Sequence, residues 1–368
     1  MLSYVELENF RGFERFRLAG LSRVNLLVGE NNCGKSSLLE ATTLLAKGGD
    51  LRALVDFARQ RGETAYSEVY EVCFPDVRHF FYGHCVDDRS EALIIGDNDR
   101  LQVSIDRTNL RDFEAAYPGA RSLEESMYLP VDAVLLVRGG VNGSDGIIVP
   151  VIENGRIHDS VLDLYAAKIR SASRDRPYVG YMLPSAMTLD EIGRYWDHAV
   201  VTRREMEVIS ALQIIEPRLN NIFFLSGGLK AGPNGGARGV LLELDGESVR
   251  IPLGSVGDGS RRLLGLALAL IRYRDSVLLL DEIDAGLHYS IMPRLWHLIV
   301  ETARQSNMQV FATTHSSDCV RGLAQFCREH PELQEEVSLQ KISCELEESV
   351  ALHAEEIILA DEQRMEVR

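Results

Sequence analysis

The sequence has no closely spaced cysteine pair, no long hydrophobic run and no excess of basic residues. Its six cysteines, at positions 33, 73, 85, 319, 327 and 344, include no C-x-x-C pair, which argues against a zinc site or a disulfide framework. No apolar run approaches the roughly 20 residues that cross a bilayer. The 55 acidic residues outnumber the 39 basic ones, so the chain as a whole is not suited to coating nucleic acid. These absences predict a cytoplasmic globular protein with reduced thiols and no membrane contact.

A glycine-rich loop, GENNCGKSS at residues 29–37, follows the apolar run VNLLV and precedes a segment with helical spacing. It fits the phosphate-binding pattern G-x-x-x-x-G-K-[ST], in which backbone N–H groups surround the phosphates. A strand, this loop and a helix N-terminus direct N–H groups and the helix dipole at one anion. The predicted nucleotide-binding residues are Gly29, Asn31, Asn32, Gly34, Lys35, Ser36 and Ser37. A glycine turn that only joins a strand to a helix is the alternative.

A second apolar run, SVLLLDEID at residues 276–284, ends in adjacent carboxylates. The run is typical of a buried parallel strand, whose carboxyl end lies at the ligand-binding edge of an α/β sheet. Asp281 is therefore predicted to bind Mg²⁺ together with Ser36, and Glu282 to accept a proton from the attacking water. An acidic turn after a strand without function is the alternative.

Two further segments complete the set of motifs. A loop of small residues that contains Gly257 and Gly259 runs into an apolar helix just before the second strand, which predicts another anion-binding helix start. One nucleotide needs only one such cradle, so this one is expected to contact the γ-phosphate bound by another subunit. The segment NMQVFATTHSSD brings His315 to the same sheet edge, where it is predicted to contact the γ-phosphate or to position water. A core histidine is the alternative for His315.

As a set, these motifs resemble the ABC-type ATPases of the SMC, RecF and OLD (overcoming lysogenization defect) kind. The resemblance is carried by ENFRGF, GENNCGKS, GDGSRR, LLLDEIDAGLH and ATTHSS, in that family's order. It implies an α/β P-loop NTPase head with a mostly parallel core sheet, an antiparallel lobe and a short helical insertion. It also implies ATP and Mg²⁺ as cofactors.

The resemblance assigns roles by motif. Lys35 and Ser36 correspond to the Walker A pair, Asp281 and Glu282 to the Walker B pair, Gly257 to Gly259 to the signature loop, and His315 to the switch histidine; the catalytic residues are then Lys35, Glu282 and His315. The sequence departs from the family at two places. Gly257 stands where the signature serine is usual, and Tyr289 follows His288 where proline is usual. The glutamine of the Q-loop is not identified.

The same resemblance gives three expected regions. Residues 1–157 and 218–368 would form the two parts of the ATPase head, and residues 158–217 a helical insertion. Thr188 with Glu191 and Thr202 with Glu205 have the spacing of helix capping boxes. Arginines in or beside the insertion offer a nucleic-acid or partner surface, although solvated helix faces are the simpler interpretation; they are Arg170, Arg174, Arg176, Arg194, Arg203 and Arg204.

The expected function is an ATP-hydrolysing homodimer or higher oligomer that acts as a switch for a separate effector. OLD-type nucleases carry a Toprim nuclease domain after the ATPase part, and the residues after His315 are too few for one, so the effector is expected to be a Toprim-type or other nuclease. The family setting implies prokaryotic anti-phage defence or DNA maintenance. The alternatives are a RecF-like repair ATPase that binds DNA, a scaffold that binds ATP with negligible hydrolysis and, more remotely, a small-molecule kinase.

Overall fold

A computed structural model describes residues 1–67, 72–86, 89–97, 99–106, 131–139, 145–152, 155–157, 178–183, 185, 187–225 and 239–365. The strands are β1 Tyr4–Phe10, β2 Phe13–Ala19, β3 Val24–Val28, β4 Thr64–Ser67, β5 Val72–Pro75, β6 Arg89–Ile95, β7 Arg100–Asp106, β8 Val131–Gly139, β9 Asp145–Ile152, β10 Val179–Met182, β11 Leu219–Leu225, β12 Gly239–Leu244, β13 Ile251–Pro252, β14 Val277–Leu280, β15 Gln309–Thr313, β16 Val337–Lys341 and β17 Val350–Leu352. The helices are α1 Lys35–Ala46, α2 Leu51–Gln60, α3 Leu189–Val201, α4 Glu205–Gln213, α5 Asp258–Arg272, α6 Met292–Gln305, α7 Ser317–Glu329 and α8 Ala354–Glu362.

The central sheet has the strand order β10-β14-β15-β3-β16-β17. All neighbouring strands run parallel except β16 and β17, which are antiparallel. Strands β3, β14 and β15 are buried along their whole lengths, which is why most of their residues are apolar. Because β3 lies between β15 and β16, the glycine-rich loop follows a central strand of the sheet rather than an edge strand.

Both faces of the central sheet are covered. Alternate residues of each strand point to opposite faces, so Leu27 packs with α1 and α2 on one side, whereas Leu26 packs with α6, α7 and α8 on the other. The first face is also covered by an antiparallel sheet with the order β2-β1-β6-β7-β8-β9. The predicted α/β head, with a mostly parallel sheet and an antiparallel lobe, is therefore confirmed. The lobe includes β1 and β2, which precede the glycine-rich loop in the sequence.

The region predicted as a helical insertion differs in part from expectation. Its described part contains α3 and α4, but Val179–Met182 forms the edge strand β10 of the central sheet. The capping box of Thr188 and Glu191 is present, whereas the Thr202 hydroxyl donates to the carbonyl of His198 and caps no following helix. Helices α3 and α4 share a third apolar core with β11, β12 and one side of α5.

The remaining described elements are a small hairpin sheet and the last strands of the central sheet. A hairpin around residues 245–246 joins β12 to β13. Strand β16 lies inside the central sheet and β17 at its edge, and α8 follows β17. Arg170, Arg174, Arg176 and the glycine-rich residues 226–238 lie outside the described residues, as do parts of the predicted regions. Among the residues that are described, no helix is long and apolar enough to span a bilayer.

Candidate active site

The glycine-rich loop joins β3 to α1 in a backbone conformation that needs glycine at two positions. Gly34 caps α1 with a φ of 94°, and a Cβ there would lie 2.3 Å from the ring of Phe13. A Cβ at Gly29 would lie 2.3 Å from the carbonyl oxygen of Ile342. Side chains are excluded from both positions, so backbone N–H groups remain accessible where an anion would approach the start of α1.

Lys35 is held inside this loop. Its Nζ donates to the carbonyl oxygens of Gly29 and Glu30 at 2.8 and 2.7 Å, and the side chain is buried. These contacts keep a positive charge on the inner side of the loop, at the first residue of α1. The charge and the helix N-terminus therefore act on the same region.

The residues predicted to bind the metal lie next to each other. The Ser36 hydroxyl is 3.4 Å from the Asp281 carboxylate, although the two residues are 245 positions apart in the sequence. Thr313, at the end of β15, donates to the same carboxylate oxygen at 2.6 Å. One hydroxyl and one carboxylate are oxygen ligands of the kind that Mg²⁺ uses together with substrate phosphates and water, so this donor set fits the metal.

Glu282 has a strained backbone and an exposed side chain. Its φ is 46°, in the left-handed region that a residue with a side chain rarely adopts. Two contacts hold this conformation: the Glu282 N–H donates to the Thr313 hydroxyl at 2.9 Å, and its carbonyl accepts from Arg262 at 2.6 Å. The strained turn directs the peptide chain away from β14 directly after Asp281, so the two adjacent carboxylates occupy different positions.

His315 and the glycine-rich loop line one cavity of about 510 Å³. Its described lining consists of residues 31–32, 34–37, Arg11, Gly12, Arg61, Glu63, His84 and His315. His315 is exposed, which excludes the alternative of a core histidine. Asp281 contacts Ser36, one of the residues that line this cavity, whereas Glu282 is not among the lining residues.

Two arginines at this cavity were not selected from the sequence. Arg11 forms ion pairs with Glu40 and with Glu63, the latter at 2.7 Å, and its side chain is 3% exposed. Arg61 forms an ion pair with Glu40 and donates to the Ser37 hydroxyl at 3.2 Å. Burial raises the pKa of Glu40, and both arginines oppose that rise. Arg11 belongs to the ENFRGF motif, so the sequence held a signal for its place at the site. Arg61 belongs to no motif, so nothing in the sequence indicated its position.

Two further groups reach the turn after β14 from neighbouring elements. Arg262, on α5, donates to the carbonyls of Asp281 and Glu282 at 3.2 and 2.6 Å and so links α5 to this turn. Tyr181, on β10, lies close to Asp281, and burial together with that carboxylate strongly raises the pKa of the phenol. Neither residue was selected from the sequence, because both contacts depend on how β10 and α5 pack.

The predicted signature loop lies outside the cavity. Gly257 precedes α5 with a φ of 107° and is exposed, and nothing lies within 4 Å of a Cβ built on it. A Cβ at Gly259 would lie 3.1 Å from the carbonyl oxygen of Gly286, so this part of the loop packs against the turn after β14. Neither glycine is among the described residues that line the cavity.

Two segments match known ATPase families. Residues 1–100, with the glycine-rich loop, match the family described as "AAA ATPase domain". Residues 175–318, with Asp281, Glu282 and His315, match the family described as "AAA domain, putative AbiEii toxin, Type IV TA system".

Proteins with similar sequences include one from Helicobacter pylori and one from Methanocaldococcus jannaschii. An "ATP/GTP phosphatase" of Helicobacter pylori (strain ATCC 700392 / 26695) is 22% identical over 348 residues, which cover 89% of each chain. An uncharacterized protein of Methanocaldococcus jannaschii is 32% identical over 79 residues, which are 20% of this chain and 36% of that protein.

Solved structures that are similar to the chain include SMC heads. The SMC head bound to the C-winged helix domain of ScpA is 14% identical, with 96% of this chain and 98% of that chain covered and a TM-score of 0.47. The SMC head domain from Thermotoga maritima is 14% identical with the same coverage and a TM-score of 0.42. The fold assignment rests on the strand order described above and the activity on the family matches. The chain is an ATPase, two segments of which match AAA ATPase domains, in agreement with its resemblance to the SMC, RecF and OLD group.

Proposed function

We propose that this ATPase works as a nucleotide-driven homodimer, in which two heads enclose two ATP molecules and each supplies its signature loop to the other. The observation that carries the proposal is the position of Gly257. The glycine-rich loop and Asp281 come together within one chain, whereas the N-terminus of α5 is exposed and does not line the cavity. An exposed helix N-terminus that lies outside the cavity of its own chain suits a phosphate held by a second copy.

Within each site the residues have separate roles. Lys35 and the N–H groups of residues 29–36 bind the phosphates, and Ser36 and Asp281 hold Mg²⁺. The metal, when bound, neutralises charge on the β- and γ-phosphates. Asn31, Asn32 and Ser37 lie along the same cavity and bind the phosphates or the ribose.

Proton transfer falls to Glu282. Its carboxylate is exposed and sits at the end of β14, one residue beyond the metal ligand, so it accepts the proton of the water that attacks the γ-phosphate. Thr313 and Arg262 fix its backbone, which reduces the reorganisation needed in the transition state. His315 lines the cavity together with Lys35 and donates to the γ-phosphate.

The output of the switch is a separate effector, which we propose to be a nuclease. One matched family is described in terms of a putative AbiEii toxin and a type IV toxin–antitoxin system, which supports a setting in prokaryotic defence. ATP-dependent closure of the two heads would present or withdraw the surface that the effector binds. The region of α3 and α4 is the natural site for it, because the core surfaces are committed to nucleotide and dimer contacts.

The proposal is tested by the solution mass of Glu282→Gln, measured by light scattering with and without Mg-ATP. The substitution retains the size of the side chain and removes the base, so bound ATP persists and the mass should double. Glu355→Gln, at an exposed position in α8, is the matched control and should behave as the unmutated protein. A Glu282→Gln protein that stays monomeric with Mg-ATP, alongside an unmutated protein that hydrolyses ATP as a monomer, would contradict the contact in trans.

A further inference from the structure

Two cysteines lie close together at the glycine-rich loop. Cys33 belongs to the loop itself and is 3% exposed, whereas Cys344 lies in the segment after β16 and is exposed. Both line a cavity of about 590 Å³ on the side of the loop that faces β1 and β2. The predicted nucleotide-binding function does not use either thiol.

The pairing of β3 with β16 brings the two segments together. The N–H of Ile342 donates to the carbonyl of Val28 at 2.8 Å, so the chain after β16 runs directly beside the start of the loop. The Cys344 thiol reaches the carbonyl oxygen of Asn32 at 3.9 Å. That oxygen is about 2.8 Å from Cα of Cys33 across the peptide bond.

These contacts place the Cys344 sulfur within about 7 Å of Cα of Cys33. A disulfide needs its two sulfurs about 2.05 Å apart, so both side chains must still turn towards each other. Cys344 lies in the exposed segment 344–347, whose movement together with a rotamer change of the two side chains would bring the sulfurs together. The two cysteines also interact electrostatically, since Cys344 contributes to the raised pKa of the Cys33 thiol.

We propose that Cys33 and Cys344 form a redox-modification site, in which oxidation by a peroxide joins them as a disulfide. The exposed Cys344 thiolate attacks hydrogen peroxide, giving a sulfenic acid and releasing hydroxide. The Cys33 sulfur then attacks the sulfenic sulfur; the S–S bond forms and water leaves with the Cys33 proton. A second thiol reduces the bond by exchange.

The surroundings of Cys33 suit the second step. Burial raises the pKa of its thiol and protects it from direct oxidation, so the exposed partner reacts first. The Lys35 ammonium is 3.7 Å from the Cys33 sulfur and stabilises the thiolate as it forms. The loop thus contains a buried thiol next to a positive charge, and the exposed Cys344 thiol contacts the loop at the carbonyl of Asn32.

The disulfide would change the nucleotide site directly. Cys33 packs beneath Gly29, since a Cβ on Gly29 would lie 2.8 Å from the Cys33 sulfur. Drawing this sulfur towards Cys344 distorts the loop between Gly29 and Lys35. We expect nucleotide binding to weaken by more than about tenfold in the oxidised protein. This consequence, but not the bond itself, rests on the proposed function.

The experiment treats the full chain with hydrogen peroxide and then follows two independent readouts. Peptide mapping by mass spectrometry, without reduction, detects the peptide that links Cys33 to Cys344. Titration with a fluorescent ATP analogue and Mg²⁺ gives the affinity before oxidation, after oxidation and after treatment with dithiothreitol. Cys344→Ser removes the partner, and Cys73→Ser removes another exposed thiol as the matched control.

We expect the linked peptide and a reversible loss of affinity in the unmutated protein and in Cys73→Ser, and neither in Cys344→Ser. Absence of the linked peptide, or an equal loss of affinity in Cys344→Ser, would overturn the proposal. A linked peptide with unchanged affinity would refute its effect on the loop. If the reduced protein fails to bind nucleotide at all, the proposed function fails, while the peptide map still decides whether the disulfide forms.

Discussion

Replacing Thr313 with valine removes the hydroxyl that links the two carboxylate residues after β14. Thr313 is 1% exposed, donates to Asp281 at 2.6 Å and accepts from the N–H of Glu282 at 2.9 Å. Valine has a similar shape, so the substitution creates no large cavity. It leaves one carboxylate oxygen and one backbone N–H without this partner.

The size of the effect follows from the two hydrogen bonds. A bond to a charged group contributes about 1.5–3 kcal/mol and one between neutral groups about 0.5–1.5 kcal/mol, so the loss is about 2–4 kcal/mol. A change of about 1.36 kcal/mol in the barrier is tenfold in rate. If the loss raises the barrier to hydrolysis because Asp281 and Glu282 are misplaced, kcat should fall by about 30-fold or more.

The assay combines steady-state ATP turnover with urea unfolding. Thr42→Val is the matched control, because Thr42 is equally buried and its hydroxyl donates only to the carbonyl of Leu38 within α1, at 2.8 Å. The control should lose about 1 kcal/mol of stability and keep kcat within about twofold. Turnover of Thr313→Val equal to that of Thr42→Val would refute the view that this hydroxyl orients the carboxylates.

Two further predictions concern stability. Glu40→Ala removes the shared partner of Arg11 and Arg61, so Arg11 keeps only Glu63 and the partly buried Arg61 loses its carboxylate; urea unfolding should show a loss of about 3 kcal/mol. Glu8→Ala, which breaks a partly exposed pair, should cost less than about 1 kcal/mol, and equal losses would contradict the argument. Hydrogen bonds that Thr188 donates lower the pKa of the Glu191 carboxyl below its ordinary value of 4.5. The ionised carboxylate therefore stabilises the folded protein above pH 4.5, and this stabilisation is lost as the pH falls through the lowered pKa of the folded state. Glu191→Gln should therefore flatten the decline of the melting temperature in that acidic window, and a decline identical to that of the unmutated protein would count against it.

The sequence alone determined the parts of the site that are local. The glycine-rich loop is predictable because its glycine positions, the Lys35 charge and the start of α1 lie within nine residues. The end of β14 is predictable for the same reason, since an apolar run and the carboxylates that follow it are adjacent. The capping box of Thr188 and Glu191 is also a local pattern, and it formed.

Local patterns failed where long-range contacts compete with them. Thr202 and Glu205 have the same spacing as the first capping box, yet the Thr202 hydroxyl bonds back to His198 because the chain ends one helix there before it begins the next. Strand β10 has only four residues, one of them a glycine, and its place beside β14 is fixed by pairing with a segment nearly 100 positions away.

Only the tertiary structure decided which residues meet. The parallel order β14-β15-β3 brings Ser36 to Asp281, and the pairing of β3 with β16 brings Cys33 towards Cys344; no pattern within the sequence specifies that order. Arg61 carries no motif, and its position beside Ser37 follows from the packing of α2 on α1. Sheet order is a global property, because each strand is placed by the burial of both its faces and by the hydrogen bonds of two neighbours that are remote in sequence.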